Sequence, residues 1–239
     1  MSTLKADIYR IYKGKLGVIS LIFLALIGVF FTLISKEKNA FEALKGVLQF
    51  GNTLLPIFLT NIFMIVWGNE FTYRTINNVL VTGKKRASIF TVKYLLALML
   101  TVVFALVFMT SASIAIYFKV GSFQVIDVLK IFAVQLPIYF AITSFGVLIF
   151  ILIPTTYVAV AVFVSLAMIG DNFISTLISS YLSNWEKLID TLFFKNLQIV
   201  VNLKEIPEET LRIIITSGII YGIIGFIIAY SLFNTKEFK

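Results

Sequence analysis

The sequence predicts an all-α, polytopic membrane protein with six transmembrane helices. Its 239 residues are 59% hydrophobic and only 13% charged, and the mean hydropathy is +0.99. A soluble domain carries about 25% charged residues, so one soluble core could not bury this much apolar surface. Apolar runs of membrane-spanning length recur along the chain and are separated by short polar connections.

The composition also restricts the chemistry. Cysteine and histidine are both absent, which excludes disulfides, thiolate nucleophiles, imidazole bases and nearly all zinc or haem ligation. The net charge is +8, but the basic residues flank the apolar runs instead of forming a stripe. Membrane topology explains them better than nucleic acid does.

The chain begins with a predicted interfacial amphipathic helix over residues 1–15, where apolar residues recur at helical spacing among basic ones. The first apolar run is too long for a signal-peptide core and no small-residue cleavage site follows it, so it is interpreted as an uncleaved anchor. The predicted spans are residues 16–34, 47–67, 94–118, 131–153, 157–170 and 213–233. Spans four and five form a tight hairpin.

Residues 171–212 form the longest polar segment near the C-terminus. Apolar residues from Ile174 to Phe193 fall on one helical face, which predicts an amphipathic helix that lies on the outer membrane surface or caps the bundle. Span five reaches Asp171 after about 14 residues, which is short for a crossing. Asp171 is therefore interpreted as an interfacial helix end, with a buried functional acid as the alternative.

Charge placement sets the predicted orientation. With both termini inside, the inner segments hold 11 of the 20 Lys and Arg residues but only 3 of the 12 acids, a net charge of +8 against zero for the outer segments. We therefore expect both termini, and residues 68–93, to be cytoplasmic.

The sequence lacks the groups that catalysis or ATP hydrolysis would require. No nucleophile–base motif or pair of membrane-embedded carboxylates is present, and the closest approach to a phosphate loop, Gly83-Lys84-Lys85, lacks the leading Gly and the following Ser or Thr. No enzyme activity, bound cofactor or metal is expected. Asn52, Asn61 and Gln135 are amides within the spans, where they either bond between helices or line a cavity.

Residues 67–93 are the most informative stretch. On a helical wheel this stretch has an apolar face and, opposite it, a polar face that carries Glu70 and Arg74. These two residues are spaced for an ion pair. Gly83 can end the helix. The apolar face holds Tyr73, Ile76, Val79 and Leu80. The pattern predicts a cytoplasmic helix that docks on a partner; the alternative is an ordinary basic loop that touches anionic lipid.

This stretch resembles the corresponding segment in permease subunits of bacterial ABC transporters of the six-span exporter class. There, an acid precedes a Thr, an apolar pair, a basic residue and a Lys that opens span three. The family commonly has Gly-Thr where this chain has Arg74-Thr75, and often a Pro where it has Thr82-Gly83. The topology is similar throughout. The matching residues are Glu70, Thr75, Val79-Leu80, Arg86 and Lys93.

The resemblance implies a multi-subunit machine in the bacterial cytoplasmic membrane. Two permeases, expected to be identical, pair with separate ATP-binding subunits that hold ATP and Mg. A coupling helix docks in a groove of each ATPase. By the resemblance, its docking residues are Glu70, Tyr73, Arg74, Ile76 and Leu80.

The chain is similar to small permeases of low-GC Gram-positive bacteria that export amphipathic peptides, including bacteriocin-immunity systems. We therefore expect membrane lipid and an amphipathic peptide or other hydrophobic substrate as partners, and no nucleic acid. The alternative is an immunity or sensor protein that binds a peptide without a motor.

Overall fold

The computed structural model describes residues 8, 9, 11, 13, 15–72, 76, 83 and 85–236. Over these residues the chain is helical and contains no strand, and six helices are long and apolar enough to cross a membrane. We number them spans one to six. They are Leu16–Ile34, Ala40–Thr72, Arg86–Lys119, Val125–Leu152, Thr156–Tyr181 and Glu208–Thr235. The all-α, six-span prediction is confirmed. The predicted interfacial helix falls mostly outside the described residues.

The spans alternate in direction, so their ends form two groups. At one end the hydroxyls of Thr72 and Thr156 share a hydrogen bond of 2.6 Å, and Arg86 donates to the carbonyl of Lys236 at 2.9 Å. At the other end Lys119 donates to the carbonyl of Ser35 at 2.6 Å. We name these the inner and outer ends, following the predicted orientation, which stays a prediction.

Most spans are longer than their apolar cores suggest. Span two starts at Ala40 because the Asn39 side chain accepts the N–H groups of Phe41 and Glu42, which satisfies two donors of the first turn. It runs through a π-helical segment, Met64–Gly68, to Thr72. Hydropathy detects only the apolar middle of such a helix, so the predicted start at residue 47 was late.

Span five differs most from its predicted bounds. The helix passes through a second π-helical segment, Leu166–Gly170, and continues to Tyr181. Asp171 therefore lies within a continuous helix, with 9% of its surface exposed, and is not an interfacial helix end.

The single amphipathic helix expected from Ile174 to Phe193 is also interrupted. The backbone leaves the helical region at Leu182 and Leu192, on either side of a 3-10 segment, Ser183–Thr191. A seven-residue helix, Phe193–Ile199, follows and leads into a second 3-10 segment, Val200–Glu205. We name Phe193–Ile199 the inserted helix, because its residues Phe194, Asn196 and Leu197 are buried among the spans.

Span four lies at the centre of the bundle. In its most apolar window 67% of the residues are buried, compared with 17% in span five. Glycines bring neighbouring spans close to it: a Cβ on Gly146 would lie 2.3 Å from the Phe63 ring, and one on Gly222 only 2.0 Å from the Phe140 ring. Large aromatic rings thus fill the space that these glycines leave.

Candidate functional site

The candidate site is the inner end, where spans two and three meet the segment predicted to dock an ATPase. Two of the five predicted docking residues are described: Glu70 and Ile76 are each only 1% exposed. Tyr73, Arg74 and Leu80 lie outside the described residues. The docking role of the segment stays a prediction; Glu70 and Ile76 themselves are buried in the described part of the bundle.

Glu70 is paired with Lys93 of span three. The Lys93 Nζ lies 2.8 Å from Glu70 Oε1, and both side chains are about 1% exposed. Lys93 also donates to the Val66 carbonyl, within the π-helical segment, at 3.4 Å. Two charges are taken out of water only when they compensate each other, so this pair fixes the end of span two against span three. Helical spacing predicts Arg74 as a partner of Glu70; Arg74 lies outside the described residues, so that pairing stays a prediction. Spacing along one helix could not indicate Lys93, a partner on another span.

An aromatic cluster centred on Trp67 lies at the same end of the bundle. The Trp67 indole lies 6.1 Å from the Phe71 ring, 5.5 Å from Phe90 on span three and 5.6 Å from Phe233 on span six, measured between ring centroids. Such pairs add about 0.5–1.5 kcal/mol each beyond the burial of their surface. Trp67 therefore joins three spans at the inner end.

Hydrogen bonds extend this connection to the remaining inner helix ends. The Arg86 guanidinium donates to the carbonyls of Asn234 and Lys236 at 2.9 Å each, which caps the C-terminus of span six with a cation. Lys236 in turn donates to the Ile151 carbonyl near the end of span four, and burial lowers the pKa of this lysine. Thr72 reaches span five through Thr156. The inner ends of spans two and three are thus tied to spans five and six, and the end of span six is tied to span four.

The three predicted membrane amides all take part in hydrogen bonds between elements. Asn61 donates to the Ser20 hydroxyl of span one at 2.8 Å. Asn52 and Gln135 both donate to the Leu197 carbonyl, at 2.8 and 3.3 Å. This geometry agrees with bonding between helices, the first of the two alternatives for these residues. Their lining of a cavity stays a prediction.

Leu197 belongs to the inserted helix, which is capped at both ends by distant side chains. At its N-terminus the Asp171 carboxylate accepts the Lys195 N–H at 2.9 Å. Near its C-terminus Asn52 and Gln135 satisfy a carbonyl of the last turn. Non-helical backbone is tolerated at membrane depth only where protein buries it. Sequence reasoning missed this element; its one signal was the apolar run Ile199-Val200-Val201 inside a polar segment.

The described residues contain no group of three or more acidic side chains that could hold a metal ion. No protein-family model matches the chain, and no curated protein has significant sequence similarity to it. The resemblance to exporter permeases therefore depends on the residues quoted for it and on the six-span topology.

Proposed function

We propose that this chain is the transmembrane permease subunit of an ATP-driven ABC exporter in a bacterial cytoplasmic membrane. A separate ATP-binding subunit supplies the motor, and a second copy of the permease completes the transporter. The observation that supports the proposal best is the buried Glu70–Lys93 pair, which makes the junction of spans two and three a rigid attachment point.

A docking segment transmits force only if both of its ends are fixed to the parts that move. Before the segment, Glu70 and Thr72 hold span two to spans three and five. After it, Arg86 holds the start of span three to the end of span six. A displacement of residues 73–85 by a closing ATPase would therefore move several spans together.

The test is capture of an ATP-binding subunit by the tagged permease in detergent. Because Glu70 and Ile76 are buried, replacing them would disturb the bundle as well as any docking. We therefore choose Arg74→Glu with Leu80→Asp, which we expect to abolish capture, and Lys187→Gln, an exposed outer substitution, as the control that leaves capture intact. Equal capture by the double variant and the wild type would remove the docking role from this segment.

The proposed cargo is an amphipathic peptide or another hydrophobic molecule that leaves through the membrane. Peptide-stimulated ATP hydrolysis by the captured complex in liposomes tests this assignment. If the chain binds a peptide but captures no ATPase from the native membrane, the motor-independent immunity or sensor function replaces the exporter.

A further inference from the structure

A groove lies between spans four, five and six, away from the docking segment, and its lining includes the carboxylate of Asp171. It has a volume of about 350 Å³ and lies beside the inserted helix, and this size is within the range of small-molecule sites. Leu166, Tyr221 and Ile228 line it and remain partly exposed, so it opens toward the surrounding lipid.

The groove is amphipathic along its length. Asp171, Thr191 and Tyr221 form a polar end, with the Tyr221 hydroxyl donating to Thr191 at 3.1 Å. The opposite end is apolar and consists of Leu148, Leu166 and Ile228. The chain direction of spans four, five and six places the polar group nearer the outer end and the apolar group nearer the inner end.

Aromatic rings line the groove together with the Asp171 carboxylate. The Phe193 ring lies 5.5 Å from Phe145 and 6.2 Å from Tyr221, between centroids, and all three residues line the groove with Asp171. Ring faces attract cations, and most strongly where water is excluded. A carboxylate accompanied by aromatic rings is therefore complementary to an organic cation.

Asp171 keeps the capacity to bind such a cation although it caps the inserted helix. An ionised carboxylate has about four acceptor positions, and in capping the helix Asp171 accepts the backbone N–H groups of Lys195 and Phe194. The Lys195 side chain also acts on the carboxylate electrostatically, so a bound cation would compete with this resident charge. Ionisable residues within spans commonly mark ligand or ion pathways.

We propose that this groove binds an amphipathic cation, with its ammonium or guanidinium head at Asp171 and its apolar tail along Leu148, Leu166 and Ile228. The ligand class would include a cationic amphipathic peptide segment. The site follows from the groove itself, whereas identification of the ligand as cargo rests on the proposed exporter function.

The experiment uses the full chain in phosphatidylcholine nanodiscs without any ATPase, with empty nanodiscs subtracted. Radiolabelled dodecylammonium is the probe; dodecanol and dodecanoate have the same chain length and differ in charge. We expect saturable binding of dodecylammonium that Asp171→Asn weakens by at least about tenfold. Asparagine is chosen because its amide oxygen can still cap the inserted helix. Lys195→Gln removes the competing charge and should strengthen binding.

Two further variants keep the test decisive. Leu166→Trp fills the tail end from a partly exposed position, so it should block the probe without disturbing the core, even if Asp171→Asn folds poorly. Asp127→Asn, a carboxylate outside the groove, should bind the probe as the wild type does. Equal binding of dodecanoate, no effect of Asp171→Asn and Leu166→Trp, or no saturable component would overturn the proposal. Because no ATPase is present, this result is independent of the capture experiment.

Discussion

The two ends of the bundle are held together in different ways. At the inner end both side chains of the Glu70–Lys93 pair are about 1% exposed, and the Trp67 cluster joins the same spans. At the outer end the ion pairs are more open to solvent: Lys187 and Glu209 are both more than 70% exposed, and the pair of Lys204 with Asp127 has one exposed member, Lys204 at 67%. The inner pair resists separation because both of its charges are shielded from water, whereas an exposed pair such as Lys187 and Glu209 can exchange with water at little cost.

This difference is compatible with the proposed function, in which an ATP-binding subunit acts on the inner end only. If the inner end is rigid, a displacement of residues 73–85 moves the attached spans instead of deforming the contacts between them. At the outer end the inserted helix is held by hydrogen bonds with Asp171, Asn52 and Gln135 and by the burial of Phe194 and Leu197. Substitutions at the two ends should therefore differ in effect, and the following four are ordered from the largest expected effect to the smallest.

Breaking the inner pair should have the largest effect. Lys93→Met removes the buried cation that lies 2.8 Å from the Glu70 carboxylate, and we expect a loss of about 3–5 kcal/mol in the free energy of unfolding. Unfolding in mixed micelles with increasing dodecyl sulfate measures it. The double variant Glu70→Gln, Lys93→Met should recover most of the loss, and Lys85→Met, at an exposed position, should change little. A loss under about 1 kcal/mol would show that the pair is not shielded from water.

A packing change in the outer half of span two should have a smaller effect. A Cβ on Gly51 would lie 1.7 Å from the Phe108 ring, whereas one on Gly46 meets nothing within 4 Å. We expect Gly51→Ala to lower the free energy of unfolding by about 1–3 kcal/mol through displacement of the ring. Gly46→Ala on the same helix is the matched control and should be neutral or slightly stabilising. Similar values for both variants would contradict the close contact between spans two and three.

The shared carbonyl of the inserted helix tests the outer end directly. Asn52→Leu and Gln135→Leu each remove one donor to the Leu197 carbonyl, and hydrogen bonds between membrane helices average about 0.6 kcal/mol. Either amide alone still satisfies the carbonyl, so the double variant should lose more than the sum of the single losses. Strict additivity in the same unfolding assay would mean that the two amides act independently.

The sequence was sufficient for the parts of this fold that depend on local pattern. Span one matches its predicted bounds, Leu16–Ile34, because polar residues limit its apolar run at both ends. Span five does not match its predicted bounds, because Asp171 ends the apolar run in the sequence although the helix continues past it. A carboxylate can lie there only because Lys195, 24 residues later, donates an N–H to it.

The candidate site could also be predicted only where it depends on local sequence. The resemblance identified Glu70 and Lys93 as important, but composition and spacing could not indicate that they form a buried pair. The inserted helix depends on contacts of still longer range, since Asn52 and Leu197 are 145 residues apart. Local periodicity carries no information about partners at such distances. It predicted one continuous amphipathic helix from Ile174 to Phe193, where the structure has the end of span five, at Tyr181, and the separate 3-10 segment Ser183–Thr191.

The exposed pair between Lys187 and Glu209 should show the smallest effect. Its charged atoms are 2.7 Å apart, and Glu209 raises the pKa of Lys187, but both side chains stand in solvent. Water and salt screen such a pair, and holding two long side chains together costs conformational entropy. We therefore expect Glu209→Gln to leave the unfolding midpoint unchanged in both low and high salt. A loss comparable to that of Lys93→Met would mean that this pair is shielded from water in the folded chain, and that the outer end is held as firmly as the inner one.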